Sequence, residues 1–327
     1  MAISEQLSSR KRLEFHPSPE VDLILAPWGF GGTDNLAQEG AHGFIENNLV
    51  PKLEVVGCKV SLYEPPSLGP FQIQEDTNHI RNLEAIIQVN TWLNQRIEQS
   101  LISEHIPVLL GGDASLSIAS VSAVSRQISK LGIIWLSNHF NNSSPDVTKS
   151  WNANRMSFTA ISFAGDLNSE HIDFQTLVRA HSDKLPIVPE LQIVQLGVSH
   201  KSATNSCKHL YFSMEDIDEL GARTVINQAI NQLKDCNKIH IIWDMNVLDL
   251  SGVSNYSPGQ LSYREAMTIA REIDLQLRRK NRLAAIDLVE HCPSREAWDK
   301  RGEAASWGTD IVAAIFGETL FNALRKY

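Results

Sequence analysis

The stretch IIWDMNVLD, residues 241–249, opens on an apolar run and then places two polar residues two apart, Asp244 and Asn246. A short, uninterrupted apolar run bounded by turn residues is the pattern of a strand buried on both faces, and such strands belong to parallel sheets covered by helices. It predicts a strand over His240–Asp244. Side chains two apart at a strand end point the same way, so Asp244 and Asn246 should face one region. Outward from this stretch, comparable runs predict strands at Val21–Trp28, Lys59–Tyr63, Pro107–Gly111, Gly132–Leu136, Phe158–Phe163, Gln192–Val198 and Leu283–Val289. Longer helical patterns separate them, which is the signature of repeated strand–helix–strand units. The expected fold is α/β: a three-layer α/β/α sandwich around a mainly parallel sheet of about eight strands. A chain of 327 residues with 43% hydrophobic composition can bury one large core. One domain over residues 1–327 is expected, with residues 1–18 as a poorly ordered N-terminal extension.

Two helices are marked clearly. Across Asn82–Glu104, the residues Leu83, Ile86, Ile87, Val89, Trp92, Leu93 and Ile97 recur at helical spacing and define a core-facing stripe. At Ser262 the sequence SYRE predicts a capping box, with the serine hydroxyl accepting from a free N–H and Glu265 reaching back to the cap's own N–H. That helix should run to the basic residues Arg278, Arg279 and Lys280, which suit a helix C-terminus. Asn141–Asn154 and Ser251–Gln260 read as polar loops at the carboxyl ends of strands, where open α/β sheets place ligand sites.

Composition narrows the function classes. A formal net charge of -9 gives nothing to attract the phosphate backbone of nucleic acid. The N-terminal residues carry charges where a secretion signal needs an apolar core, and no long uncharged apolar stretch follows. The expectation is a soluble cytoplasmic protein without nucleic-acid or membrane partners. Cys58, Cys207, Cys236 and Cys292 are widely spaced, so reduced, mostly buried thiols are expected rather than disulfides or a zinc site.

Four segments carry a resemblance: GGDAS at 111–115, IIWLSNHFN at 133–141, IIWDMNVLD at 241–249 and AIDLVEHCP at 285–293. LAPWG at 25–29, FSMEDI at 212–217 and the last twenty residues extend it over most of the chain. In this order and spacing they resemble the ureohydrolase family of arginases, agmatinases and formiminoglutamases. The resemblance implies two manganese ions held by a histidine after Gly-Gly-Asp, an Asp-x-His-x-Asp set and an Asp-x-Asp pair. Such a pair lowers the pKa of a shared water, giving hydroxide for attack on a guanidinium carbon.

Carried over by that resemblance, the metal-ligand positions are Ala114, then Ser137, His139 and Asn141, then Asp244 and Asn246. Only His139 and Asp244 remain good ligands. At contact distance each charge interaction is worth roughly 4 kcal/mol at an effective dielectric of about 20, so losing three carboxylates removes most of the pull on a pair of dications. No metal cofactor is expected, or at most one weakly bound divalent ion. The proton-shuttle position is Asn154, within WNANR at 151–155, and the substrate-contacting loop is altered at 255–260. Glu290 stands where the family binds guanidinium, and Ser143 and Asn152 complete the ligand positions the resemblance implies.

The expected function is a ureohydrolase-like protein that has lost its binuclear centre: a pseudoenzyme with a regulatory, scaffolding or ligand-sensing role. The alternative is a divergent hydrolase of a guanidino or amidino C–N bond, using one metal on His139 and Asp244 or none. Family habit implies a homo-oligomer, trimer or hexamer, or a hetero-oligomer with an active paralogue, and a small guanidino ligand. Plainer roles stand beside these. Asp244 can accept hydrogen bonds from Ser137, Asn246 or a loop N–H, and His139 can be a hydrogen-bonded strand-end residue. Glu290 can hold a cationic ligand or pair with Arg155. Asp113 and Asp287 are expected to accept from loop backbone, Cys292 to be a buried thiol rather than a nucleophile, and Trp135 and Trp243 to be core. His200 falls in a loop that can approach the same rim.

Overall fold

The apolar runs do form strands, and in the computed structural model they assemble into one sheet. The structure describes residues 18–33, 36–68, 79–162, 171–199, 207–250, 260–293 and 302–318. Eight strands, β1 (Glu20–Ala26), β2 (Lys59–Tyr63), β3 (Ile106–Gly111), β4 (Leu131–Leu136), β5 (Ile193–Val198), β6 (Leu210–Ser213), β7 (Lys238–Asp244) and β8 (Leu283–Val289), lie in the order β2-β1-β3-β8-β7-β4-β5-β6. Every pairing is parallel. All carboxyl ends therefore open on one edge, and β3, β8, β7 and β4 bring theirs together at its centre.

Alternation along the strands splits the interior in two. In β4, Ile134 and Leu136 join one cluster with Trp243, Leu288 and Leu110, while Ile133 and Trp135 join another with Ile242, Leu109 and Val289. The first cluster is covered by the helices Ala222–Gln232, Tyr263–Ile273 and Glu303–Ile315, and the second by Leu83–Ile102, Leu116–Gln127 and Ala153–Ser162. This is the expected three-layer sandwich, with Trp135 and Trp243 fully buried. Among the described residues, no helix is long and apolar enough to cross a membrane.

Two expectations need correction. The segment expected as a strand from Phe158 instead lies in the helix Ala153–Ser162. Its Ala153, Met156, Ser157, Ala160 and Ile161 are buried at helical spacing, and packing on that face overrides the short apolar run. The eighth strand is β6, whose Leu210 and Tyr211 are partly exposed at the sheet edge and so lack a buried strand's continuous apolar signature. The loop expected over Asn141–Asn154 accordingly gives way to helix at Ala153.

The capping box at Ser262 is present in both directions, with Ser262 N–H donating to Glu265 Oε2 at 2.8 Å. That helix ends at Ile273 and passes into one wide turn over Asp274–Arg278, where Arg278 Nε and Arg279 Nε donate to the buried Asp274 carboxylate at 2.6 and 2.9 Å. Residues 1–17 lie outside the described residues, as do 251–259 and His200.

One close approach locks the centre of the sheet. A Cβ on Gly112 would lie 1.8 Å from the Trp28 carbonyl oxygen, whereas one on Gly32 would meet nothing nearer than 3.5 Å. Replacing Gly112 with Ala should therefore cost about 3 kcal/mol or more through overpacking against backbone, and Gly32→Ala close to nothing. Urea denaturation of the two variants checks this, and equal midpoints would contradict it.

Candidate functional site

The carboxyl ends of β3, β4, β7 and β8 supply the polar residues of the site. After β3, Asp113 is buried and accepts from Gly31 N–H and Ser115 N–H, both at 2.8 Å. The expected structural role of Asp113 is thus realised, and it fastens the loop after β1 onto the Gly-Gly-Asp turn. The fit requires glycine at position 31, since a Cβ there would lie 2.4 Å from Ser115 Oγ.

At the ends of β4 and β7, Ser137 Oγ donates to Asp244 Oδ2 at 2.8 Å and accepts from His139 N–H at 3.2 Å. Asp244 Oδ1 accepts from Asn246 N–H at 2.9 Å. Both oxygens of Asp244 are thus engaged by neutral donors. Ala114 is fully buried in the apolar cluster beneath. Asn141 adopts a left-handed φ of 49°, and its carbonyl accepts from Phe158 N–H at 3.1 Å.

Glu290 follows β8 with φ 63°, a strained conformation for a side chain of this size. Its Oε1 accepts from Ala114 N–H at 2.9 Å and from Asn154 Nδ2 at 3.1 Å. Arg155, weighed as its partner, is exposed and makes no ion pair with it. Ser143 and Asn152 lie on the neighbouring loop: Ser143 N–H donates to the Arg155 carbonyl at 3.0 Å, and Asn152 Nδ2 donates to Thr33 Oγ1 at 2.8 Å. Among the described residues, nothing donates to the buried amide oxygens of Asn152 and Asn154. The structure thus brings Ala114, Ser137, His139, Asp244, Asn246 and Glu290 to contiguous strand ends, and Asn154 reaches Glu290 from the helix Ala153–Ser162. The part played by Gly31 and Thr33 was not anticipated, although the glycine-rich stretch 29–32 after β1 was its available signal.

Two other expectations resolve outside this site. Asp287 was expected to accept from loop backbone, but it lies within β8, fully buried and away from any loop. Its Oδ1 meets His240 Nε2 at 2.8 Å and accepts from Ser120 Oγ at 2.7 Å. Cys292 is buried, as expected.

Electrostatics follow from burial. Burial, with the nearby Glu290 carboxylate adding to it, pushes the Asp113 and Asp244 carboxyls up to about 7, against the pull of their hydrogen-bond donors. Among the described residues, no group of three or more His, Cys, Asp or Glu side chains is arranged to hold a metal ion. The two-manganese centre implied by the resemblance does not fit the residues present. A methyl group occupies one ligand position, and the Ser137 hydroxyl spends its proton on the one retained aspartate.

The Arginase family model matches residues 60–317, and the chain belongs to that family. It is 29% identical to an arginase of Staphylococcus aureus over 313 residues, covering 92% of this chain and 98% of that protein. It is 27% identical to the mitochondrial arginase-2 of Homo sapiens, covering 91% and 85%. The fold superposes on arginase from Bacillus caldovelox with a TM-score of 0.79 at 23% identity, covering 93% and 99%. It superposes on formimidoylglutamase from Bacillus subtilis with a TM-score of 0.65 at 17% identity, covering 97% and 98%.

The raised carboxyls set a direction for stability. The folded chain keeps protons that the unfolded chain releases near the ordinary carboxyl value of 3.8. This contribution is fully present below that value and is lost as pH rises through about 7. Asp244→Asn should flatten the fall between about pH 4 and 7, read as urea midpoints against pH. A variant whose slope matches wild type would show that Asp244 ionises normally in the folded chain.

Proposed function

We propose that this arginase-family protein is a catalytically inactive homologue without the binuclear metal centre, acting as a regulatory, scaffolding or ligand-sensing protein. The observation that carries the reading is the set of hydrogen bonds linking Ser137, His139, Asp244 and Asn246, with Ala114 buried. A dication pair needs free lone pairs and compensating negative charge, and these residues supply neutral donors turned inward. Asn141 and Asn246 preserve the shape of aspartate without its charge, which is how a polar cluster persists without metal.

On this reading any retained small ligand is held by Glu290 with Ser143 and Asn152, and is a compact cation such as a guanidino compound. The working state is an oligomer in the cytoplasm, either of this chain alone or with an active paralogue.

The decisive measurement is metal content after exposure to manganese and removal of excess, together with arginine hydrolysis by the same sample. Substoichiometric metal and no urea are expected. Restoring Ala114→His, Ser137→Asp, Asn141→Asp and Asn246→Asp together should recover manganese binding. Stoichiometric metal on the wild-type chain, lost in Asp244→Ala, would overturn the proposal.

A further inference from the structure

His209, just before β6, is buried with its ring fully covered, and both ring nitrogens face hydrogen-bond acceptors. Nδ1 lies 3.1 Å from Glu190 Oε1, which also accepts from Lys208 N–H at 2.8 Å and His209 N–H at 3.3 Å. Nε2 lies 2.9 Å from Gln195 Oε1. The orientation of the Gln195 amide is set at its other end, where Nε2 donates to the Phe140 carbonyl at 3.2 Å. A carbonyl can only accept, so Gln195 must turn its own oxygen toward the histidine.

The orientation of Gln195 then fixes what the ring must supply. An ionised carboxylate on one side and an amide oxygen on the other each require a proton on the nitrogen they meet, and neutral imidazole carries only one. With Gln195 turned this way only an imidazolium satisfies both partners, and the Phe158 ring lies beside it at a centroid separation of 4.5 Å.

We propose that His209 is a proton-operated joint between the sheet edge and the candidate site. With the ring protonated, Glu190, His209, Gln195 and the Phe140 carbonyl form one continuous chain of hydrogen bonds. When the ring loses a proton, the carboxylate keeps the remaining N–H, and Gln195 turns its amide over to donate to the bare nitrogen. Its oxygen would then face the Phe140 carbonyl, so that link opens. Phe140 stands between His139 and Asn141, and the change reaches the end of β4 directly.

Burial lowers the His209 pKa from its ordinary value, with Glu190 opposing. Burial works to raise Glu190, but hydrogen bonds from His209 and the two backbone N–H groups outweigh it and hold the carboxyl below its usual range. The transition therefore falls on the acid side of the ordinary histidine value, with Glu190 ionised through it. Among the described residues, the charged or titratable groups packed on the ring or flanking it are Glu190, from the turn before β5, and Lys208 and Tyr211, from its own segment. Gln195, Phe140 and Phe158 add none. Because the folded pKa is lowered, global stability falls as pH drops through this window while the Phe140 link tightens. The opposed trends separate the joint from ordinary acid unfolding.

Nitrogen-15 NMR of the full chain labelled at histidine and glutamine reads both ends. On raising the pH, the His209 ring should pass from two protonated nitrogens to one, and the Gln195 carboxamide resonances should move with the same midpoint. Glu190→Gln should lower that midpoint by about 1 pH unit or more, and Gln195→Glu should raise it. Glu190 is 26% exposed, so its replacement tests the joint even where a charge at position 195 prevents folding. A Gln195 signal indifferent to the His209 transition, or a ring held as one neutral tautomer throughout the folded range, would overturn the proposal. Either outcome is independent of whether the strand ends hold metal.

Discussion

A buried carboxyl must be satisfied by hydrogen-bond donors or keep its proton, and Asp244 is met by neutral donors. Ser137 and Asn246 supply donors to its two oxygens, and burial beside Glu290 raises its pKa into the neutral range. Everything at the strand ends adjusts to that constraint. Asn154 turns its amide onto Glu290, the Ala114 N–H does the same, and Asp113 takes two backbone N–H groups from its own turn and from the loop after β1. Removing one partner would leave a polar group stranded at a cost of roughly 1–3 kcal/mol, which is why such clusters change as sets rather than singly.

The fold was legible because parallel strands buried on both faces leave an unmistakable trace, a few consecutive apolar residues between turn signals. The trace fails in two informative places. The run starting at Phe158 is as apolar as a strand, but its neighbours from Ala153 onward bury a helical face. The strand Leu210–Ser213 escapes notice because an edge strand need not be apolar on both sides. Length and periodicity alone do not separate these cases; packing partners distant in sequence decide them.

Legibility of the site divides along the same line. The contact of Asp244 with Ser137 follows from strand-end geometry, since adjacent parallel strands share an edge, whereas that with Asn246 is a cap: β7 ends at Asp244, whose carboxylate accepts from a backbone N–H of the tight turn Met245–Val247. The partners of Glu290 follow from neither, because its positive φ re-aims the carboxylate toward segments more than a hundred residues away. Asp287 shows the limit from the other side. Only the three-dimensional neighbourhood reveals that a mid-strand aspartate meets a histidine on the next strand and a serine on a covering helix.

The strand order has a consequence for how the chain reaches this state. The central pairing of β3 with β8 joins Val108 to Ile286, so the middle of the sheet closes only after most of the polypeptide exists. Such long-range closures make assembly slow and leave strand edges bare in the interim. A nascent chain ending before β8 would expose the apolar flank of β3, a surface prone to mispairing. Until β8 arrives, that flank is a surface a chaperone would have to shield during synthesis.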